Sequence, residues 1–306
     1  MCCILSSTPS RESNNQIKVS SKIMANFTLR KATRQKTPIK VALQGSAGSG
    51  KTMSALKLAK GLVDDWSKIV VIDTENGSAD LYSHLGEYNV IQLAEFSPES
   101  YVDAIDFCEK QGMECIIIDS ATPEWEYIID AQSKVTGNSY TNWSRFTPRH
   151  NKFIKKILGS PCYIIATMRT KQDYVLVEKN GKQVPEKVGL KSVQRDGVDY
   201  EFTIVFDIDI KHNAHASKDR TAMFDVNVDF LISEDTGRKI KDWCENGLDI
   251  KGECLKAIEA CKTTDDVNAL AEKYKSLKVV DATSGKEVFP EDIRKAMRTK
   301  FDELSK

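Results

Sequence analysis

A glycine-rich octapeptide carries the clearest chemistry in the sequence. Residues 45–52 read Gly-Ser-Ala-Gly-Ser-Gly-Lys-Thr, the pattern G-x-x-x-x-G-K-T. Glycines permit positive φ and place no Cβ in the way, so backbone amides can converge on a phosphate. The pattern predicts that Lys51 reaches the terminal phosphates of ATP and that the Thr52 hydroxyl coordinates Mg²⁺. The predicted nucleotide-binding residues are Gly45, Ser46, Ala47, Gly48, Ser49, Gly50, Lys51 and Thr52.

Two acidic residues at the ends of predicted strands can complete this site. Asp119 follows three isoleucines at the carboxyl end of a strand, where α/β sheets bind ligands, and is predicted to bind Mg²⁺. Because Ser120 and not a glutamate follows it, the general base must come from elsewhere. Glu75 is the candidate, since it can orient and deprotonate the attacking water. The alternatives are an ordinary strand end for Asp119 and a solvated turn for Glu75.

The elements that must position these residues alternate between strand-like and helical patterns. Short apolar runs predict strands at 39–43, 68–74, 114–119 and 162–168. Helices are predicted at 51–62, 99–111, 122–135 and 147–158. This alternation is typical of βαβ units, so the fold class is α/β with a mostly parallel sheet buried on both faces.

The pattern changes after residue 170. Asn180-Gly181 between strand-like arms predicts a β-hairpin over 172–189. Two further strands are expected at 200–210 and 224–232. The C-terminal part reads as helical, with Thr263 or Thr264 as a helix cap and Pro290 opening the last helix. We therefore expect three parts, namely a flexible basic segment at 1–37, an ATPase core at 38–246 and a helical region at 247–306.

Composition limits the other classes of function. The 306 residues contain 44 Lys+Arg and 44 Asp+Glu, so no global field drives binding to nucleic acid or membrane. No apolar run reaches the length of about 18 residues that spans a bilayer. The eight cysteines form no Cys-x-x-Cys, which favours buried free thiols in a reducing cytoplasm. A nucleic-acid-binding arm is the alternative for the basic lead, and Met24 is an alternative start.

The strand-end motifs together resemble those of the RecA/Rad-type recombinase core. More closely, the chain is similar to phage-encoded RecA-like ATP-binding proteins, often labelled AAA-family, whose genes lie beside single-strand annealing genes. The resemblance covers about 38–246. Besides the octapeptide, it rests on DTENGSA at 73–79, IIIDSAT at 116–122, TMRTKQDYV at 167–175, VGLKSVQRDGVDYEF at 188–202 and SKDRT at 217–221.

This resemblance implies a partner and a set of residues that bind it. The segment 171–199 takes the place of a DNA-binding loop, and residues 169–195 hold seven basic residues against three acids. Tyr174 is suited to stacking on a base. A solvated lysine-rich hairpin is the alternative. The predicted DNA-binding residues are Arg169, Lys171, Tyr174, Lys179, Lys182, Lys187, Lys191 and Arg195.

The resemblance also implies assembly. Lys218 and Arg220 match a Lys-x-Arg finger that reaches a neighbouring subunit's nucleotide, so a ring or filament of identical subunits is expected. Surface charge is the alternative. Thr167 stands where recombinases usually have a glutamine that senses the γ-phosphate. The same family implies single-stranded DNA and an annealing or single-strand-binding protein as partners, and the host cytoplasm as location if the chain is phage-encoded.

The sequence thus predicts a Mg²⁺-dependent ATPase with a RecA-like core that acts on single-stranded DNA in recombination or annealing. Two alternatives belong to other classes. One is a nucleotide-gated protein-assembly ATPase whose hairpin binds a protein, and the other is a P-loop small-molecule kinase. A basic, aromatic-bearing hairpin favours the DNA hypothesis.

Overall fold

The computed structural model describes the backbone at residue 32 and at 34–136, 139–179, 182–247, 249–280 and 287–305. Within these ranges, side chains at 139, 140, 172–179, 182–190, 276, 279 and 280 lie outside the description. Residues 34–306 form one unit by their contacts, and every element below belongs to it. The predicted basic segment at 1–37 lies almost wholly outside the described residues.

A mostly parallel sheet forms the centre of this unit. Its strands are β1 Lys40–Gly45, β2 Ile69–Asp73, β3 Asn89–Gln92, β4 Cys115–Asp119, β5 Tyr163–Lys179, β6 Lys182–Ser192, β7 Ile204–Ile208, β8 Asn213–Asp219 and β9 Phe230–Leu231. Their spatial order is β3-β2-β4-β5-β1-β7-β8-β9, with β6 paired to β5. The strands from β3 to β7 in this order run parallel, whereas β6, β8 and β9 pair antiparallel with their neighbours. The predicted α/β class is confirmed.

The sheet is covered on both faces, which explains the uninterrupted apolar runs of its central strands. Every residue of β2 and of β4 is buried. Two hydrophobic clusters lie on opposite sides. One contains Leu43, Leu56 and Phe206, and the other contains Tyr101 and Phe153. Alternate residues of each strand contribute to alternate clusters, as the pleat requires.

Eight helices are formed by the described residues. They are α1 Lys51–Leu62, α2 Pro98–Lys110, α3 Thr122–Ser133, α4 Ser139–Gly159, α5 Glu234–Glu245, α6 Ile250–Glu259, α7 Thr264–Lys273 and α8 Glu291–Leu304. Helices α1 and α5 approach closely because each has a glycine at the point of contact. A Cβ at Gly61 would lie 2.0 Å from the Glu234 carbonyl oxygen, and one at Gly237 would lie 2.3 Å from that of Leu58. No helix in the described part of the chain has the length and apolar character of a membrane span.

The last three helices surround a small core of their own, which includes Cys254, Ile258, Tyr274, Phe289 and Ile293. A short antiparallel pair, β10 Val279–Val280 and β11 Glu287–Val288, belongs to this region. The predicted cap of α7 is confirmed, since the Thr263 side chain accepts a hydrogen bond from the Asp266 N–H. Six cysteines within the described residues are buried free thiols: Cys108, Cys115, Cys162, Cys244, Cys254 and Cys261.

The structure differs from the sequence prediction at five places. The edge strand β3 and the strand β8 were not predicted. The segment expected to be a strand at 224–232 is mostly turn, with only β9 paired. The strand expected at 200–210 is shorter, because residues 198–200 form a 3-10 turn before β7. Helix α4 begins at Ser139 and passes through Pro148, although proline normally marks the first turn of a helix.

Candidate nucleotide-binding site

The octapeptide joins β1 to α1 and leads into a helix N-terminus that has no side-chain cap. Strand β1 ends at Gly45, and α1 begins at Lys51 with no side chain capping its N-terminus. The first N–H groups of a helix have no partner within it, so they are free to bind an anion. Gly50 has φ +85°, and a Cβ there would lie 2.9 Å from Nδ1 of His212. The backbone at this position therefore requires glycine.

Lys51 lies folded against the loop that precedes it. Its Nζ donates to the carbonyl oxygens of Gly45 at 2.9 Å and Ser46 at 2.8 Å. Burial lowers the pKa of this ammonium, and the carboxylates of Asp119 and Glu75 act against that shift. A phosphate at the helix N-terminus would offer the ammonium a charged partner in place of two neutral carbonyls.

Asp119 is held between two hydroxyl groups at the carboxyl end of β4. The Thr52 hydroxyl donates to its Oδ2 at 2.6 Å, and the Thr167 hydroxyl donates to its Oδ1 at 2.5 Å. Its side chain is buried, and burial raises the pKa of the carboxyl while both hydrogen bonds lower it. A hydroxyl and a carboxylate that meet beside the phosphate loop are oxygen ligands of the type that Mg²⁺ prefers.

The end of β2 is tied to the end of β4. Asp73 and Asp119 are paired in register, and the Thr74 hydroxyl accepts from the Ser120 N–H at 2.8 Å. Asp73 turns toward the chain that follows it. Its Oδ1 accepts from the Glu75 N–H at 2.6 Å, and its Oδ2 accepts from the Ala79 N–H. These bonds fix the backbone from which the Glu75 side chain extends.

Arg169 forms an ion pair with Glu75. Its Nε and Nη2 donate to Glu75 Oε1 at 3.1 and 2.9 Å. Register explains the meeting, because Arg169 pairs with Gly45 across β5 and β1 and so lies at the same sheet edge as the phosphate loop. The side chains of Arg169 and Glu75 are 43% and 30% exposed, so solvent and an entering ligand can both reach the pair.

These groups line one cavity of about 610 Å³. Lys51, Thr52, Glu75, Asp119 and Arg169 supply its charged and polar side, and Leu81, Tyr82, Leu231 and Ile232 add apolar surface. The Ser49 and Ser78 hydroxyls, both buried, have no hydrogen-bond partner among the described residues. Uncapped amides at the helix N-terminus, three cations, Lys51, Lys57 and Arg169, and an apolar side fit a nucleotide with its phosphates at that N-terminus.

The expected DNA-binding residues are divided between different surroundings. Arg169 lies in the nucleotide cavity, apart from the expected DNA loop. Lys171 is exposed at the base of the hairpin. Lys191 pairs with Asp196 at 2.8 Å, and Arg195 donates to Asn151 Oδ1 at 3.1 Å. The side chains of Tyr174, Lys179, Lys182 and Lys187 lie outside the described residues, although the backbone of β5 and β6 forms the predicted hairpin.

Lys218 and Arg220 lie together on the exposed side of a turn. Lys218 and Asp219 belong to the end of β8, and Arg220 follows it. Both side chains reach the carbonyl oxygen of Tyr200, with the Arg220 Nη2 at 2.8 Å. Neither lines the cavity that contains Lys51.

Three residues of the site were not assigned to it from the sequence. Thr167 supports Asp119, Arg169 pairs with Glu75, and His212 approaches the phosphate loop with its Nδ1 2.9 Å from the Ser49 carbonyl oxygen. A signal existed for the first two, since both lie on β5, the strand between β1 and β4. His212 comes from a turn whose position depends on the antiparallel pairing of β7 and β8.

Comparison with known proteins agrees with this geometry. Residues 37–230, more than half of the chain, match the family described as an AAA domain. A stretch of 96 residues is 36% identical to the DNA repair and recombination protein RadB of Methanococcoides burtonii. That stretch covers 28% of this chain and 43% of RadB, so the chain spans less than half the length of this relative.

The position of Arg169 leads to a prediction about nucleotide discrimination. We expect Arg169→Ala to weaken binding of a non-hydrolysable ATP analogue by roughly ten- to a hundredfold, because a charge-assisted contact to the terminal phosphate is lost. Affinity for ADP should change little. Isothermal titration with both ligands measures the two effects.

Arg238→Ala is the matched control, since Arg238 is similarly exposed and also pairs with a glutamate, on α5 outside the cavity. Equal losses for ADP and the ATP analogue would contradict a contact to the terminal phosphate. They would leave Arg169 as a residue that only orders the site.

Proposed function

The chain belongs to the AAA domain family and is an ATPase, and from this we propose that it couples Mg²⁺-dependent ATP hydrolysis to work on single-stranded DNA in recombination or annealing. One observation carries the nucleotide part of the proposal. The Thr52 hydroxyl and the Asp119 carboxylate meet at 2.6 Å beside an uncapped helix N-terminus. A phosphate and its metal ion need these groups at that place.

The phosphate loop and four polar side chains of the cavity, those of Thr52, Glu75, Asp119 and Arg169, have roles in the proposed reaction. The amides of 48–52 and Lys51 bind the β- and γ-phosphates, while Leu81 and Leu231 offer apolar surface to the purine. Thr52 and Asp119 would hold Mg²⁺, which when bound neutralises charge on the phosphate oxygens. Glu75 orients the attacking water and accepts its proton. Arg169 exchanges Glu75 for the γ-phosphate when ATP enters, which releases the Glu75 carboxylate toward the water.

The DNA part of the proposal is supported by the path of β5. This strand begins at Tyr163 inside the sheet, passes the nucleotide cavity at Arg169 and continues to Lys179 as one arm of the hairpin. A basic hairpin on the same strand as a cavity residue is suited to linking phosphate binding to nucleotide state. The similarity to the DNA repair and recombination protein RadB supports the same class of substrate. A single-strand annealing or single-strand-binding protein would act on the same DNA.

We also propose that identical subunits assemble and complete one another's sites. Arg220 is exposed and Lys218 is half-buried, and both donate to the Tyr200 carbonyl oxygen outside the cavity of their own chain. Such a pair can exchange this carbonyl for a nucleotide bound by a neighbour, where an arginine stabilises charge on the transferring phosphoryl group.

The proposed reaction is tested by two substitutions with different phenotypes. Lys51→Ala should abolish ATP binding or turnover, because the cation at the terminal phosphates is lost. Glu75→Gln keeps the shape of the site, so ATP should bind while turnover falls by roughly 10²–10⁴, the usual contribution of a positioned base. Binding and steady-state phosphate release are measured side by side, with Glu253→Gln, an exposed glutamate on α6, as control. Near-normal hydrolysis by Lys51→Ala would refute the reaction.

A second prediction concerns the hairpin. Gln172 and Leu190 are paired, so a short Gly-Ser turn can replace 173–189 without changing the register of the strands below it. The deletion removes Lys179, Lys182 and Lys187, and we expect the dependence of log affinity on log salt for single strands to become shallower by about 2, near 0.7 for each lost phosphate contact. Basal ATP hydrolysis should persist. Unchanged DNA affinity would favour a protein as the partner of the hairpin.

The assembly proposal predicts complementation. Arg220→Ala should bind ATP normally and hydrolyse it slowly, because arginine fingers contribute roughly 10³–10⁵ to the rate. An Arg220→Ala subunit keeps its phosphate loop, and a Lys51→Ala subunit keeps its finger. Mixing the two inactive proteins should therefore restore part of the activity. No rescue in mixtures shown to co-assemble would mean that Arg220 acts within its own chain or is only a surface charge.

A further inference from the structure

A second groove lies away from the nucleotide cavity, between α3, α4 and the segment that follows the hairpin. Its volume of about 720 Å³ is within the range of sites for small organic ligands. The residues that matter for its chemistry are Trp125, Trp143, Pro148, Gln194, Arg195 and Asp196. The nucleotide site uses none of them.

Two tryptophans form one wall of this groove. The rings of Trp125 and Trp143 are stacked, with centroids 5.6 Å apart and planes inclined by 21°. Trp125 in turn meets the edge of His150 at 5.2 Å. The three rings therefore form a row that begins at a buried histidine and ends at Trp143, which is half-buried. A further flat ring can extend the row at this outer end.

The inner end of the row is fixed by a buried carboxylate–imidazole contact. Glu124 and His150 are both almost fully buried, and Glu124 Oε2 lies 3.0 Å from His150 Nδ1. Glu124 precedes Trp125 on α3, and His150 lies on α4, so this pair links the two helices that carry the tryptophans. This contact holds the two tryptophans in a fixed orientation. Less conformational entropy is therefore lost when a further ring binds to them.

Polar groups surround the rings. Gln194 donates to the Ala121 carbonyl oxygen at 3.1 Å, which fixes the floor of the groove. Pro148 has no N–H, so the Ser144 carbonyl lacks the donor that a helix normally supplies four residues later. Ser144 and Pro148 both line the groove. A backbone acceptor beside an aromatic wall suits a ligand with N–H donors at its edge.

The charge of α4 favours an anionic chain. The helix contains five lysines and arginines and no aspartate or glutamate. Arg145, Lys152 and Lys155 are exposed at spacings of seven and three residues, so they follow one side of the helix next to the groove. Asp196 is the acid of the groove, and it is paired with Lys191.

We propose that this groove binds an unpaired base of single-stranded nucleic acid, with the base stacked on Trp143 and the flanking phosphates on the basic side of α4. The proposal rests on the single-stranded DNA function proposed above and adds a base contact to the phosphate contacts of the hairpin. The groove borders the segment at 194–196 that follows β6, so one strand can reach both. A peptide ligand would lack the phosphates that this side of α4 is suited to bind.

The test compares an oligothymidine with an abasic oligonucleotide of the same length, which keeps the phosphates and lacks the bases. We expect Trp143→Leu to weaken binding of oligothymidine by roughly tenfold or more, the usual effect of losing one base–aromatic stack. Affinity for the abasic strand should match the wild type. Trp143→Phe retains an aromatic face and should recover most of the affinity. Phe301→Leu, a partly exposed aromatic on α8, is the matched control.

Fluorescence gives a second readout that does not depend on removing Trp143. In a Trp66→Phe, Trp243→Phe double variant, the remaining emission comes from Trp125 and Trp143. Oligothymidine should quench it and the abasic strand should not. Thermal melting of each variant verifies folding.

The outcomes separate this inference from the function on which it rests. Wild-type protein that binds neither strand overturns the DNA part of the proposed function and this inference with it. If the wild type and Trp143→Leu bind oligothymidine with equal affinity, and oligothymidine does not quench the fluorescence of the double variant, the base site alone is overturned. Equal losses on both strands would likewise overturn stacking, since the abasic strand has nothing to stack.

Discussion

The buried carboxylate of Asp119 is the constraint on which the site depends. A charge that is almost fully removed from water is costly unless hydrogen bonds or a cation compensate for it. Here, Thr52 and Thr167 each donate to one of its oxygens, so the carboxylate connects the first turn of α1 with β5 across β4. The parallel register of β1, β4 and β5 makes this meeting a consequence of the fold, because residues at the carboxyl ends of adjacent strands lie at one edge. Any ligand that brings a cation to Asp119 further stabilises this buried carboxylate, whose hydrogen bonds in the protein alone come from two hydroxyl groups.

Two of the cations that line the cavity, Lys51 and Arg169, each have a partner within the protein. Lys51 donates to two carbonyls, and Arg169 pairs with Glu75. Both cations are therefore satisfied without a phosphate, but with partners that a phosphate can replace. The exchange has different consequences for the two residues. Moving Lys51 leaves neutral carbonyls behind, whereas moving Arg169 frees the carboxylate of Glu75, the proposed general base. In the proposed reaction, nucleotide entry activates the site through this side-chain exchange, while the backbone fixed by Asp73 and Thr74 stays in place.

Much of this could be predicted from the sequence, and the limits have physical causes. The phosphate loop, the helix from Lys51 to Leu62 and the strands ending at Asp73 and Asp119 follow from local patterns, because parallel strands buried on both faces are continuously apolar. Strand β3 is only partly buried at a sheet edge, and β8 alternates small and polar residues, so neither has an apolar run to reveal it. The Arg169–Glu75 pair was not predicted because its partners are 94 residues apart and meet only through the order of strands. Arg169 was grouped with the basic residues that follow it in sequence, while register places it with the phosphate loop.

The same register explains how the two proposed ligands can affect each other. The Arg169 N–H donates to the Thr122 hydroxyl, and Gln194 donates to the Ala121 carbonyl, so the residues just before and just after the hairpin are bonded to the segment directly after Asp119. That segment opens α3, which carries Glu124 and Trp125. A strand of nucleic acid bound as proposed, on the hairpin or in the tryptophan groove, would therefore act on residues within one helical turn of the Asp119 carboxylate. Because these contacts are direct hydrogen bonds between short segments, the coupling needs no large domain movement. A small shift of residues 120–122 would alter both the Thr167–Asp119 bond and the backbone position of Arg169.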